Sequence, residues 1–275
     1  MDKIGIIGFG NMGSAIAEGI KDKYEVLAFD KDKERAGAVS GIKAAAGIAD
    51  LANDSAVLIL AVKPQDFKAL LGEIKDYAQG KLIISIAAGI STKCIEDSLG
   101  GARVIRAMPN IGVAIGEGLI CLCKGQFAGD KDFDFAKDIF ACSGKTLSIP
   151  EKMMDAATAV SGSGPAYVCE YLEAASSRMD NSACLNKEDF LHNFRKAAES
   201  LGFSPQEAVF LVSNTFSMTV NLLKDTGLTP VQLKGRVASR GGTTEAALAV
   251  LHDGGSLAEA ARAALRRAEE LSKKE

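Results

Sequence analysis

KIGIIGFGNMG, residues 3–13, is a short apolar run that stops on a glycine and restarts as a helix. The last three of its four glycines each have a physical reason. Gly8 permits a tight turn, Gly10 lets backbone approach a diphosphate, and Gly13 lets helix pack on strand. The helix that opens at Asn11-Met12-Gly13 offers unpaired N–H groups and the positive end of its dipole to that diphosphate. The second apolar run ends VLAFD, placing Asp30 where an acid meets the adenosine ribose. Strand, glycine turn, helix, second strand and acid together read as a dinucleotide cradle. A glycine turn in an unrelated α/β fold is the weaker alternative.

Working outward, apolar runs recur at Lys3–Ile7, Glu25–Phe29, Ala56–Val62, Leu82–Ala87, Arg103–Ala107 and Leu119–Cys123, with a last piece at Thr146–Ile149. Helical patterns such as Gly13–Asp22 and Pro64–Tyr77 lie between them. Nearly continuous Val/Ile/Leu strands alternating with helices predict a parallel sheet covered on both faces. After Pro150 the strand-like runs stop. Ser204-Pro205-Gln206-Glu207, Thr229-Pro230-Val231-Gln232 and Ser256-Leu257-Ala258-Glu259 each carry an N-cap with an acceptor three residues on. The chain is therefore expected to be an α/β Rossmann-type dinucleotide-binding domain over 1–150, followed by an all-α helical domain over 151–275.

Composition narrows the function classes. Charged residues are 24% and the net charge is -3, so no basic footprint points to nucleic acid. No apolar run reaches the roughly 18 residues of a membrane span. The start lacks the basic and apolar regions of a secretory leader, so a cytoplasmic protein is expected. Six cysteines, at 94, 121, 123, 142, 169 and 184, form no CxxC pair, and there are only two histidines. No metal site is expected, and the thiols read as free, with Cys121 and Cys123 packing on one strand face.

Asp30 bears on cofactor choice. Its carboxylate accepts from ribose hydroxyls and repels a 2′-phosphate, which favours NADH. Lys31 and Lys33 stand close enough to reach a phosphate instead, so NADH and NADPH both stay open.

GFGNMG, then AVKPQ at 61–65, SIAAGI at 85–90, MPN at 108–110, SGSGPAY at 161–167 and GGTT at 241–244 occur in this order. Together they resemble the pyrroline-5-carboxylate reductase family, over residues 1 to about 265. The resemblance implies reduction of 1-pyrroline-5-carboxylate to proline by hydride from NADH or NADPH, and assembly as a homodimer or higher homo-oligomer. It implies that Gly8, Gly10, Asn11, Met12, Gly13, Asp30, Ala61, Val62, Lys63 and Pro64 lie along the cofactor, and that Ala87, Ala88, Gly89, Met108 and Asn110 border its nicotinamide. Ser163, Gly164, Gly241, Gly242 and Thr243 are then substrate-binding. The same resemblance implies that Thr244 hydrogen-bonds the imine nitrogen and that Ser239 touches the carboxylate. Without the family pattern, Thr244 reads as an ordinary N-cap threonine.

The sequence departs from the pattern in places. Ile111-Gly112 follow MPN where Thr-Pro is usual, Arg240 stands for the proline before GGTT, and Gly235 replaces an acid after Leu233-Lys234. Arg178–Lys196 reads as an insertion into the first helix of the second domain, carrying Cys184 and His192. Two rivals remain. One is a β-hydroxyacid dehydrogenase, which needs a lysine acid/base that SGSGPAYVCEYLEAA lacks. The other is a non-catalytic or altered-substrate paralogue, motivated by Gly235, Arg236 and Arg240.

Overall fold

The computed structural model describes residues 3–37, 39–177 and 186–273. The chain divides into two compact units, Met1–Glu151 and Lys152–Lys274. The first alternates strands and helices: β1 (Lys3–Ile7), α1 (Asn11–Ile20), β2 (Glu25–Phe29), α2 (Lys33–Ala36), β3 (Lys43–Ala44), α3 (Ile48–Asp54), β4 (Val57–Leu60), α4 (Pro64–Ile74), β5 (Leu82–Ser85), α5 (Thr92–Ser98), β6 (Arg103–Met108), β7 (Gly118–Lys124), α6 (Asp130–Phe140) and β8 (Gly144–Ser148). They make one sheet in the order β3-β2-β1-β4-β5-β6-β7-β8. The order reverses at β1, whose Ile4 stands opposite Val26 on one side and Val57 on the other.

Strand side chains alternate between two apolar layers. Ile4, Ile6, Val57, Ile59, Ile84 and Ile105 join Ile16, Ile20, Ile139 and Phe140 of α1 and α6. Ile7, Leu58, Leu60, Ile83 and Val104 face Leu51, Phe67, Leu71, Ile74 and Ile95 of α3, α4 and α5. Both faces are thus covered, which is why the strands read as unbroken apolar runs.

Two features depart from the expected set of parallel strands, one in direction and one as an added edge strand. β7 runs antiparallel to β6, pairing Ala107 with Leu122 and Met108 with Cys121. The connection at 109–117, a short 3-10 turn ending on Gly116 at φ 72°, is too brief for the dozen or so residues of a parallel crossover. The two-residue edge strand β3, Lys43–Ala44, is exposed and has no apolar run to announce it. Cys121 and Cys123 are buried on β7, as their spacing predicts.

The second unit is helical. α7 (Met154–Ala157) passes through a π turn at Thr158–Gly162 into α8 (Gly164–Ser177), followed by α9 (Lys187–Ser200), α10 (Pro205–Thr226), α11 (Pro230–Val237), α12 (Thr243–His252) and α13 (Leu257–Ser272). All three predicted capping boxes form; at α10 the Ser204 and Glu207 side chains each accept the other's backbone N–H. Fully buried Tyr167 of α8 meets Phe194 of α9 edge-on, and Tyr171 stacks on Phe190. Residues 187–196, expected as part of an insertion, are therefore core-forming helix; Cys184 and the rest of 178–185 lie outside the described residues. α13 turns Ala260, Ala261, Ala264 and Ala268 inward.

Candidate functional site

At the head of β1 the three glycines behave differently. Gly8 has φ 95°, and a β-carbon there would stand 2.7 Å from the Ala61 backbone. A side chain on Gly13 would collide with the Gly8 carbonyl. Gly10 has open space around it, the cradle a diphosphate needs. Gly10 is also the N-cap of α1 and offers no side-chain acceptor, so the N–H groups of Asn11, Met12 and Gly13 enter the helix without intrahelical partners.

A cleft of about 280 Å³ opens beside this turn, lined among others by Gly8, Gly10, Asp30, Ala61, Val62 and Lys63. Six of the proposed cofactor residues thus meet in one concavity. Asn11, Met12, Gly13 and Pro64 adjoin it in the chain as the first turns of α1 and α4. Asp30 does more than expected. One carboxylate oxygen accepts the Phe9 N–H at 2.6 Å and the other accepts the Asp32 N–H at 2.9 Å, so the acid ties the glycine turn to the end of β2. Lys31 and Arg35 line the same cleft, Lys31 paired with Asp66 and Arg35 with Asp32. Lys33 begins α2 on the surface. Arg35 and Asp66 do not stand out in the sequence; only their helical spacing behind Asp32 and Pro64 hints at a shared mouth.

Ala87, Ala88 and Gly89 occupy the turn after β5, with Gly89 at φ 82° and the Ala87 N–H held by Ser85. The next helix is fixed by a residue that no sequence motif contains. Both oxygens of Glu151 accept from Thr92, the backbone N–H and the hydroxyl each at 2.7 Å, and Arg106 stands 3.4 Å from the same carboxylate. Met108 and Asn110 are buried, and the Asn110 side-chain oxygen accepts the N–H groups of Gly112 and Leu119. That oxygen holds the β6–β7 connection. Burial, reinforced by Glu151, pushes the neighbouring Cys123 thiol up to about 12, which removes it as a nucleophile at neutral pH.

In the second unit the motif residues converge on one hydroxyl. Buried Ser163 lies at the head of α8. Its Oγ accepts from the Thr244 hydroxyl at 3.1 Å and stands 3.0 Å from the Thr243 hydroxyl. Gly242, not a threonine, is the N-cap of α12, and no side chain caps that helix. Thr243 and Thr244 are its first two residues, so Thr244 is not an N-cap threonine. Gly164 serves packing, since a β-carbon there would stand 2.8 Å from Thr215 and 3.0 Å from the Phe194 ring.

The loop entering α12 is bound at both ends. Gly241, at φ 68°, donates its N–H to the Glu245 carboxylate and receives Arg267 Nε on its carbonyl at 2.6 Å. Gly242 N–H goes to the carbonyl of exposed Ser239 at 2.9 Å. The helices flanking the loop share one anchor on α8. Lys234 of α11 pairs with Glu170 and, at 2.8 Å, with Glu173, while His252 of α12 stands 3.0 Å from Glu170. Burial alone would raise the Glu170 carboxyl, but hydrogen bonds from Lys234 and His252 outweigh it and hold the group below the usual glutamate range. Burial likewise opposes the Lys234 charge, and the two glutamates override it. Gly235 and Arg236 are exposed on α11, and Arg240 is exposed in the loop.

Comparison with known proteins matches residues 3–89 to the family described as NADP oxidoreductase, coenzyme F420-dependent. Residues 151–182 and 189–273 match pyrroline-5-carboxylate reductase dimerisation. The second match runs through most of Arg178–Lys196, so the expected insertion shrinks to 183–188. A pyrroline-5-carboxylate reductase of Methanosarcina acetivorans is 34% identical over 99% of this chain and 98% of its own. One from Thermus thermophilus is 35% identical over 99% and 100%. Among solved structures, the Plasmodium falciparum pyrroline carboxylate reductase with NADP bound aligns at TM-score 0.65 and 28% identity, covering 98% of both chains. A 3-hydroxyisobutyrate dehydrogenase of Mycobacterium tuberculosis, at 15% identity and TM-score 0.53, shares the fold alone.

Proposed function

Because the chain belongs to the pyrroline-5-carboxylate reductase family, we propose that it reduces 1-pyrroline-5-carboxylate to proline with NADH or NADPH. The observation that carries the substrate reading is the Ser163–Thr243–Thr244 cluster at the uncapped start of α12. An uncapped helix start suits the ring carboxylate. Gly241 and Gly242 have spent their own N–H groups, so those of Thr243 and Thr244 are the donors for it. Thr244 donates its proton to Ser163, which leaves its oxygen lone pairs to accept from the N–H of a protonated imine. A protonated imine already attracts hydride, so orientation supplies most of the catalysis and no acid/base histidine is required.

The glycine turn fits the cofactor, since Gly10 leaves the space and α1 the donors. The N–H groups of residues 11–13 would hold the diphosphate, Asp30 would face the adenosine ribose, and Ala61–Pro64 would run beside it. Ala87–Gly89 and Met108–Asn110 would border the nicotinamide, and Ser239 would complete the substrate surroundings, while Gly164 would act only by letting α8 pack closely behind Ser163. When bound, the reduced nicotinamide supplies the hydride.

No helix among the described residues is long and apolar enough to cross a membrane. The matched dimerisation region supports a homo-oligomer, with a homodimer as the unit proposed. Among the described residues, Cys94, Cys121, Cys123, Cys142 and Cys169 form no disulfide, which suits a reducing cytoplasm. One assay tests the reading: absorbance of NADH and of NADPH is followed as the cyclic imine acid is added, with proline quantified. Loss of absorbance matched by proline supports it. Cofactor that binds yet stays reduced would instead favour a non-catalytic paralogue.

A further inference from the structure

We propose that Arg267 is a positioning residue for substrate carboxylate binding. It lies on α13, beyond every motif of the family pattern, yet it reaches across to the loop that opens α12. Its Nε donates to the Gly241 carbonyl at 2.6 Å, and its Nη2 would stand 3.5 Å from a β-carbon on Gly241. The guanidinium therefore lies against the glycine as well as bonding its carbonyl. Its Nη1 pairs with Glu270 one turn on, at 2.8 Å, which aims the fork. An ion pair at that spacing contributes little to stability by itself. The bond to a backbone carbonyl of another helix's entry loop is a different constraint, because it acts on a peptide that no secondary structure holds.

Three contacts leave this loop little freedom: Arg267 on the Gly241 carbonyl, Glu245 on the Gly241 N–H, and Ser239 on the Gly242 N–H. Gly241 is in the left-handed region, where a glycine can swing to other conformations at little cost. With the carbonyl released, the Gly241–Gly242 peptide can rotate, and the aim of the Thr243 and Thr244 N–H groups goes with it. Arg267 thus orients donors that it does not supply. The inference rests on the reading that these donors receive the ring carboxylate.

The test compares two rings, 1-pyrroline-5-carboxylate and 1-pyrroline, which lacks the carboxylate. Wild-type protein should prefer the acid; equal handling of both would overturn the substrate reading itself. Given that preference, Arg267→Ala should raise KM for the acid about tenfold, the scale of one lost hydrogen-bond interaction, with kcat within about twofold. KM for 1-pyrroline and the Kd of NADPH should stay put. Arg267→Lys, which keeps a donor and the charge, should recover at least half of the loss on a logarithmic scale, and it provides the comparison should the alanine variant fold poorly. An unchanged KM for the acid, a parallel loss on both rings, or no recovery by lysine would overturn the proposal.

Discussion

Thr244 is where a single hydroxyl is asked to do the most. Thr244→Ala should lower turnover by about 100-fold, the scale for removing one well-placed polar contact in an active site. Fluorescence titration should meanwhile show cofactor Kd unchanged, and full turnover would remove the role assigned to it. Asp30 makes a second residue-scale prediction. Its two backbone acceptances mean that Asp30→Ala frees the Phe9 N–H and slackens the glycine turn. Affinity for NADH and NADPH should fall together by about tenfold, the scale of one orphaned donor. If only NADH binding falls, the carboxylate reads the ribose and little else. The glycine roles are legible in the sequence because each follows from the absence of a β-carbon at a fixed place in a strand–turn–helix. The ties of Asp30, Glu151, Glu245 and Arg267 are not, because they depend on where long side chains point once distant segments have packed.

Among elements, α8, α11 and α12 form a charged seam through Glu170, Glu173, Lys234 and His252. Glu170 is held below its ordinary range, so its stabilisation is present above that range and is lost as pH falls through the lowered folded value. Lys234 is held above its ordinary range, so its stabilisation is present at neutral pH and is lost as pH rises through the folded value. Thermal melts across pH should show both limbs in the wild type. In Lys234→Met the alkaline limb should flatten, and a profile unchanged by that substitution would mean the seam contributes nothing. At α10, Ser204→Ala should cost about 1 kcal/mol by removing the capping box, readable as a shift in urea midpoint. Caps and strand positions are legible because they depend on neighbours within four residues. The reversal of β7 is not visible in its composition, since a buried strand looks alike in either direction; only the short connection at 109–117 betrays it. α9 reads as an addition in the sequence because its place in the core rests on Phe190 and Phe194 meeting aromatic rings far along the chain.

For the molecule as a whole, assembly is the property least contained in one chain. The sequence of α10 promises an apolar face, and most of that face is spent on the unit's own core. What stays outside is Val209 at 46% and Val220 at 37% exposure, eleven residues apart and so three turns along one side. Val220→Asp should shift sedimentation toward the monomer if that side is an interface; unchanged mass at micromolar concentration would place the contact elsewhere. Sequence periodicity does not mark these two valines as exposed, because the same residue type is buried at Val212 of the same helix. The outer margins of the eight-stranded sheet carry a last consequence. One border is the two-residue β3, bearing Lys43, and the other is β8, bearing exposed Lys145. A lysine-bearing border, and at β3 also a brief one, is a poor template for foreign strands. Concentrated solutions should therefore resist fibrillar stacking, and partners should be recruited through helices.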